Sequence, residues 1–109
     1  MEPISLQKLK QLLKEQYSSI FILDVRSPEE FFDKRLKHSI NIPIDILSNK
    51  LQKIPREKQV IVHCAHGFRA KRAAQFLEEQ GLQSVLWLKG DIELWEDANL
   101  EVLYGQNDL

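Results

Sequence analysis

The run Val60-Ile61-Val62-His63-Cys64-Ala65-His66-Gly67-Phe68-Arg69-Ala70 restricts the folds open to this chain more than any other stretch. A β-branched apolar segment stops at the only cysteine in the sequence. One glycine follows, and then Ala70, Ala73, Ala74 and Leu77 fall at i, i+3, i+4 and i+7, the spacing of a buried helix face. The order is strand, cysteine loop, helix. A loop so placed sits at the positive end of the helix dipole, among backbone N–H groups that have no intrahelical partner. Such a place suits an anion, and a thiolate is one.

The rest of the chain alternates in the same way. Ser5 is an N-cap ahead of Leu6, Leu9, Leu12 and Leu13, which predict a helix to about Gln16. Tyr17-Ser18-Ser19 breaks it, and Ile20 to Val25 reads as a strand buried on both faces. Ser27-Pro28-Glu29-Glu30 carries an N-cap, a proline at the first helical position and a capping-box glutamate. The short helix it starts holds Phe31 and Phe32 and ends at the basic run Lys34-Arg35-Leu36-Lys37, read as a solvated surface that could dock an acidic carrier.

Ser39 to Pro43 is extended. Ile46, Leu47, Leu51 and Ile54 then predict a further helix, with Asp45 as its cap and Pro55 as its stop. Gln59 to His63 is the strand before the cysteine, and Gly81 is a left-handed C′ residue closing the helix after it. Val85 to Leu88 is another strand, with a helical turn around Ile92 to Trp95 that Asn99 ends and a last edge strand over Leu100 to Leu103. Residues from about 105 to 109 read as a frayed tail. Alternating strands and helices predict an α/β fold, a single domain over 1–109 with a mainly parallel sheet of about five strands and helices on both faces. In such sheets sites lie beyond the carboxyl ends of the strands, which is where Cys64 falls.

Composition narrows the partners. A formal net charge of −1 gives no bulk attraction to nucleic acid or to an anionic membrane. No apolar run approaches the ~20 residues of a membrane span, and Met1-Glu2-Pro3 does not begin a secretion signal, so a cytoplasmic location is expected. A single cysteine excludes an internal disulfide framework.

A free cysteine, with a pKa near ~8.5, is mostly an unreactive thiol at neutral pH. Three features here favour the thiolate: backbone N–H groups from Ala65 to Ala70, with Gly67 permitting the turn; the helix start; and the cations Arg69, Lys71 and Arg72. The competing reading is a cysteine that merely packs as a small hydrophobe. His63, His66 and His38 match no common zinc spacing, so no metal is expected. Trp87 and Trp95 read as packing residues, and Asp24 with Arg26 as a structural ion pair at a strand end.

Four segments together resemble the rhodanese-like sulfurtransferase family. Cys64-Ala-His-Gly67-Phe-Arg69 is similar to its C-x-x-G-x-R loop, and Leu23-Asp24-Val25-Arg26-Ser27-Pro28-Glu29-Glu30-Phe31 to its L-D-V-R-x-P-x-E-[FY] segment. Ile40-Asn41-Ile42-Pro43 is similar to its x-N-I-P, and Val85-Leu86-Trp87-Leu88-Lys89-Gly90 followed by Trp95 to its closing segment. They stand in family order and span nearly the whole chain. The resemblance implies a sulfane sulfur carried as a persulfide on Cys64, taken from a thiosulfate-like donor and passed to a thiol or cyanide, with no cofactor. It implies that Ala65, His66, Gly67, Phe68 and Arg69 cradle that sulfur and that Arg69 holds the anionic donor. Asp24 and Arg26 would support the loop, and a sulfur-relay protein is a possible partner.

The chain also departs from the pattern. Lys34 to Ser39 stands where the family usually reads G-H-I-P-G-A, Ala70 where serine or threonine is common, and Asp91, a candidate N-cap, where a second glycine is usual. Two rivals remain. A phosphatase of related fold would need a longer C-x5-R loop, and here only four residues separate Cys64 from Arg69. A non-catalytic regulatory or scaffold module would keep the fold without turnover.

Overall fold

The computed structural model describes residues 1–90 and 92–106. The candidate cap Asp91 and the last three residues of the expected tail lie outside them. Five strands form one wholly parallel sheet: β1 (Glu2–Ile4), β2 (Ile20–Asp24), β4 (Ile40–Asn41), β5 (Gln59–His63) and β6 (Val85–Leu88), in the order β1-β6-β5-β2-β4. The fold is α/β, as expected. The chain steps outward from β2 to β4 and then returns to β5, so the strand order reverses between β2 and β5. A crevice forms at such a reversal beyond the carboxyl ends of the strands.

Side chains of the central strands alternate between two cores, because successive residues of a strand point to opposite faces. Leu23, Val60 and Val62 join Ala70, Ala73, Ala74 and Leu77 of α3 (Phe68–Glu79) on one face. Ile20, Ile22 and Ile61 join Leu6 and Leu9 of α1 (Leu6–Gln16), with Trp95 and Leu100, on the other. Burial on both faces explains why β2 and β5 read as unbroken apolar runs in the sequence. Among the described residues no helix is long and apolar enough to cross a membrane.

The caps read from sequence have the geometry their chemistry demands. Ser5 accepts from the Lys8 N–H at 3.0 Å. Ahead of α2 (Pro28–Asp33), Ser27 accepts from the Glu30 N–H at 3.2 Å while Glu30 accepts from the Ser27 N–H at 3.0 Å, completing the reciprocal box. After α3, Gly81 at φ +94° passes its N–H to the Glu78 carbonyl and the Leu82 N–H reaches the Leu77 carbonyl, a full Schellman closure.

Four expectations need correction. The stripe Ile46, Leu47, Leu51, Ile54 builds two 3-10 segments, Ile44–Asn49 and Leu51–Lys53, rather than an α-helix. Asp45 lies inside the first and caps nothing; Pro43 stands at the cap. Leu47 and Ile54 are still buried, so burial set the hydrophobic spacing without fixing the helix type.

The segment Leu100 to Leu103 does not edge the main sheet. It supplies β7 (Val102–Leu103), which pairs antiparallel with β3 (Arg35–Leu36) in a separate ribbon. The run from Lys34 to Lys37 is correspondingly not a solvated face throughout: Leu36 is buried, and Arg35 is buried with its guanidinium donating to the carbonyls of Phe32 and Gly105. The edge strand β1 escaped sequence reading because three residues with a central proline give almost no strand signal. An edge is where such a proline is tolerated.

Candidate active site

Cys64 follows the last residue of β5, the strand at the middle of the sheet. Its sulfur accepts two backbone hydrogen bonds, from Gly67 N–H at 3.1 Å and Ala70 N–H at 3.2 Å. Gly67 reaches that position at φ +100°, a conformation that disfavours any L side chain. Space is not the constraint, since an added Cβ would meet Trp87 at an ordinary 3.5 Å. The loop closes into α3 through the Lys71 N–H to Gly67 carbonyl bond, and its other side is held where the Ile92 N–H donates to the Ala65 carbonyl at 2.9 Å.

The residue Cys64 is only 3% exposed and packs with the α3-side core. Both sequence readings therefore contain part of the truth: the cysteine is covered like a core residue, yet its sulfur faces amide hydrogens as an anion seat requires. The first turn of α3 holds no acidic residue. Arg69, Lys71 and Arg72 instead crowd the positive end of the dipole, an arrangement unfavourable for the helix alone and favourable for a nearby negative charge.

The remaining loop residues divide by exposure. Ala65 is buried, His66 is exposed, and Phe68 is 81% exposed at the start of α3. Arg69 does not stand alone. Its guanidinium forms a two-pronged pair with Glu30, 2.8 and 2.9 Å, a partner that the sequence disclosed only as a capping residue. The hydrogen bond from Arg69 is the main reason the Glu30 carboxyl is pulled down to about 2, and the same bond raises Arg69. Glu30 thus caps α2 and tethers the cysteine loop to it. Beside this tether a crevice of about 490 Å3 opens between Val25, Ser27 and Pro28 on one side and Pro43 to Ile46 on the other, with Arg69 on its wall. This crevice lies beyond the carboxyl ends of β2 and β4, next to the reversal.

Asp24 ends β2 and Arg26 follows it, beside the strand that leads into the loop. Both are buried, and Arg26 Nε and Nη2 donate to the Asp24 carboxylate at 3.0 and 2.7 Å. A second bond from Nη2 reaches the Lys34 carbonyl at 2.6 Å. Asn41 Nδ2 donates to the carbonyls of Asp24 and Arg26, stitching β4 to the end of β2. Register pairs Asp24 with His63, whose ring is fully buried edge-on to Trp95 at 5.0 Å. Burial is the largest cause that lowers His63 to about 4; Asp24 opposes the shift and Arg26 reinforces it. The 3.7 Å approach of His63 to Asp24 is accordingly a contact of a neutral ring, not an ion pair at neutral pH. Among the described residues no group of three or more His, Cys, Asp or Glu is arranged to hold a metal ion.

The chain is similar to several known proteins. The family model described as a rhodanese-like domain matches residues 5–98. A sulfurtransferase of Allochromatium vinosum is 26% identical over 100 residues, covering 92% of each chain. The thiosulfate sulfurtransferase GlpE of Coxiella burnetii is 31% identical over 86 residues, covering 79% of this chain and 78% of its own. A crystal structure of a rhodanese-related protein from Thermoplasma volcanium, 33% identical, superposes with a TM-score of 0.83 over 94% of this chain and 98% of its own.

Proposed function

Because this chain belongs to the rhodanese-like domain family, we propose that it is a sulfurtransferase that carries a sulfane sulfur as a persulfide on Cys64. The observation that carries the reading is the pair of N–H donors, from Gly67 and Ala70, aimed at the Cys64 sulfur. Donors fixed by a helix start and a left-handed glycine need no reorganisation when charge gathers on the sulfur, which is how preorganised dipoles accelerate a displacement.

With thiosulfate as donor, the Cys64 thiolate attacks the sulfane sulfur. A sulfur–sulfur bond forms to Cys64, the bond within thiosulfate breaks, and its electron pair leaves with sulfite. An acceptor thiolate or cyanide then attacks the terminal sulfur, and the Cys64 thiolate departs as leaving group under the same N–H donors. Two displacements on one nucleophile predict ping-pong kinetics. Ala65, His66 and Phe68 complete the cradle, and Arg69 at the crevice wall meets the anionic end of the donor. Its fork is partly engaged by Glu30, so the pair orients the donor more than it attracts it. Asp24 and Arg26 hold the strand ends on which the loop rests. With one cysteine in the chain, an outside group must discharge the sulfur. A thiol-bearing relay protein is one such group, and Phe68, 81% exposed, lies beside the loop it would approach.

Intact-mass measurement tests the reading. Treatment with thiosulfate should add one sulfur atom, cyanide should remove it as thiocyanate, and Cys64→Ala should gain nothing. A protein that stays unloaded by thiosulfate and by low-molecular-weight persulfides would refute it in favour of a scaffold role. Cys64-dependent hydrolysis of an aryl phosphate would instead favour the phosphatase.

A further inference from the structure

A second cavity, of about 500 Å3, opens where the C-terminal half of α1 faces the Lys37–His38 turn and the Asn99–Glu101 segment. It lies at the far end of the sheet from the cysteine. Tyr17 stands shortly before the first residue of β2, whereas Cys64 follows the last residue of the parallel neighbour β5. Its size falls within the roughly 300–1,000 Å3 of small-molecule pockets.

The lining has two chemistries. Leu13, Leu36 and Leu100 are its apolar side chains, and the amphipathic stripe of α1 continues into it. Lys10 and Lys14 stand one turn apart on the same face of α1, where like charges repel. Among the described residues neither forms an ion pair, whereas the neighbouring Lys37 and Glu101 satisfy each other at 3.2 Å. An apolar recess is thus bordered by two uncompensated ammonium groups.

The wall carries two residues in an uncommon backbone conformation. Among the described residues only His38 and Asn99 are non-glycine residues at positive φ, +73° and +61°, and both line this cavity. Asn99 is explained by the helical turn it closes, through the Leu100 N–H to Trp95 carbonyl bond. His38 has no such account. The Ser39 N–H to Leu36 carbonyl bond places it third in a four-residue turn, the position where positive φ calls for glycine and where the family motif has it. Histidine adopts this conformation less readily than glycine, and here it sets a ring on the cavity wall. Tyr17 fixes it, with ring centroids 4.6 Å apart and the hydroxyl 3.3 Å from Nδ1.

We propose that this cavity is a second ligand site, taking a small aromatic carboxylate. The flat body would lie on the leucines against the Tyr17–His38 wall, and the carboxylate would meet Lys10 and Lys14. The site is separate from Cys64 and does not depend on the sulfur-transfer reading.

Amide NMR titration of the whole chain with 2-naphthoate, against neutral 2-naphthylmethanol, tests it. Saturable shifts should cluster at Leu13, Tyr17, His38 and Leu100. The neutral compound should bind at least tenfold more weakly, and each of Lys10→Gln and Lys14→Gln should weaken 2-naphthoate roughly fivefold at low salt. Both lysines are exposed, so the variants keep the fold. Shifts that never saturate, equal affinity for the neutral compound, affinity unchanged by both lysine variants, or shifts confined to the Cys64–Ala70 loop would each overturn the proposal.

Discussion

Acidification should weaken this fold through one imidazole. His63 is fully buried, and burial holds its ring neutral down to about pH 4, against 6.5 for a free histidine. Unfolded chains take up a proton at this site as the pH falls below about 6.5, whereas the folded protein does not until about 4. The unfolded state therefore binds more protons across that window, and stability falls as pH falls through it. The contribution is intact above 6.5, is lost progressively toward 4, and levels off below. The gap between 6.5 and about 4 corresponds to about 3 kcal/mol in full, at about 1.4 kcal/mol per pH unit, and most of it is spent by pH 4.5. Urea unfolding at pH 7 and 4.5, followed by far-UV circular dichroism, reads it directly. With a slope near 1–2 kcal/mol per molar, the wild-type midpoint should drop by roughly 1–3 M. His63→Phe keeps a ring against Trp95 and His63→Gln keeps polarity; either should lose most of this pH dependence. If the wild type and both variants lose the same stability between the two pH values, or if His63 titrates near 6.5 in the folded protein, the argument fails.

Gly67→Ala should cost at least about 1 kcal/mol from its backbone conformation, without a clash, and should turn its N–H away from the sulfur. Thermal unfolding reads the first effect, and the rate of sulfur loading from thiosulfate, reduced tenfold or more, reads the second. Arg26→Met leaves the buried Asp24 carboxylate uncompensated and should destabilise by about 3–5 kcal/mol, while Asp24→Asn with Arg26→Met should recover part of that loss. Urea midpoints of the wild type and the two variants check the order.

Local rules carried most of the fold. Caps at Ser5, Ser27 and Gly81 are decided within a few residues, and the two central strands announce themselves because both faces are buried. What remained hidden depends on distance or on weak local signal. The 3-10 segments after Pro43 share their hydrophobic spacing with an α-helix, and β3 and β7 are two residues each. At the site, strand, cysteine, glycine and helix are contiguous, so Cys64 and its amide donors were legible. The Glu30–Arg69 tether spans 39 residues and was not. Nor was the burial of His63, since a histidine at a strand end looks the same in sequence whether it faces solvent or Trp95.

A thiol that is 3% exposed has a consequence for what the outside world can touch. Loading lengthens the side chain by about 2 Å, one sulfur–sulfur bond. On the reading proposed above, the resting protein keeps its only thiol sheltered from chance oxidants, and the atom offered to an acceptor is the borrowed one.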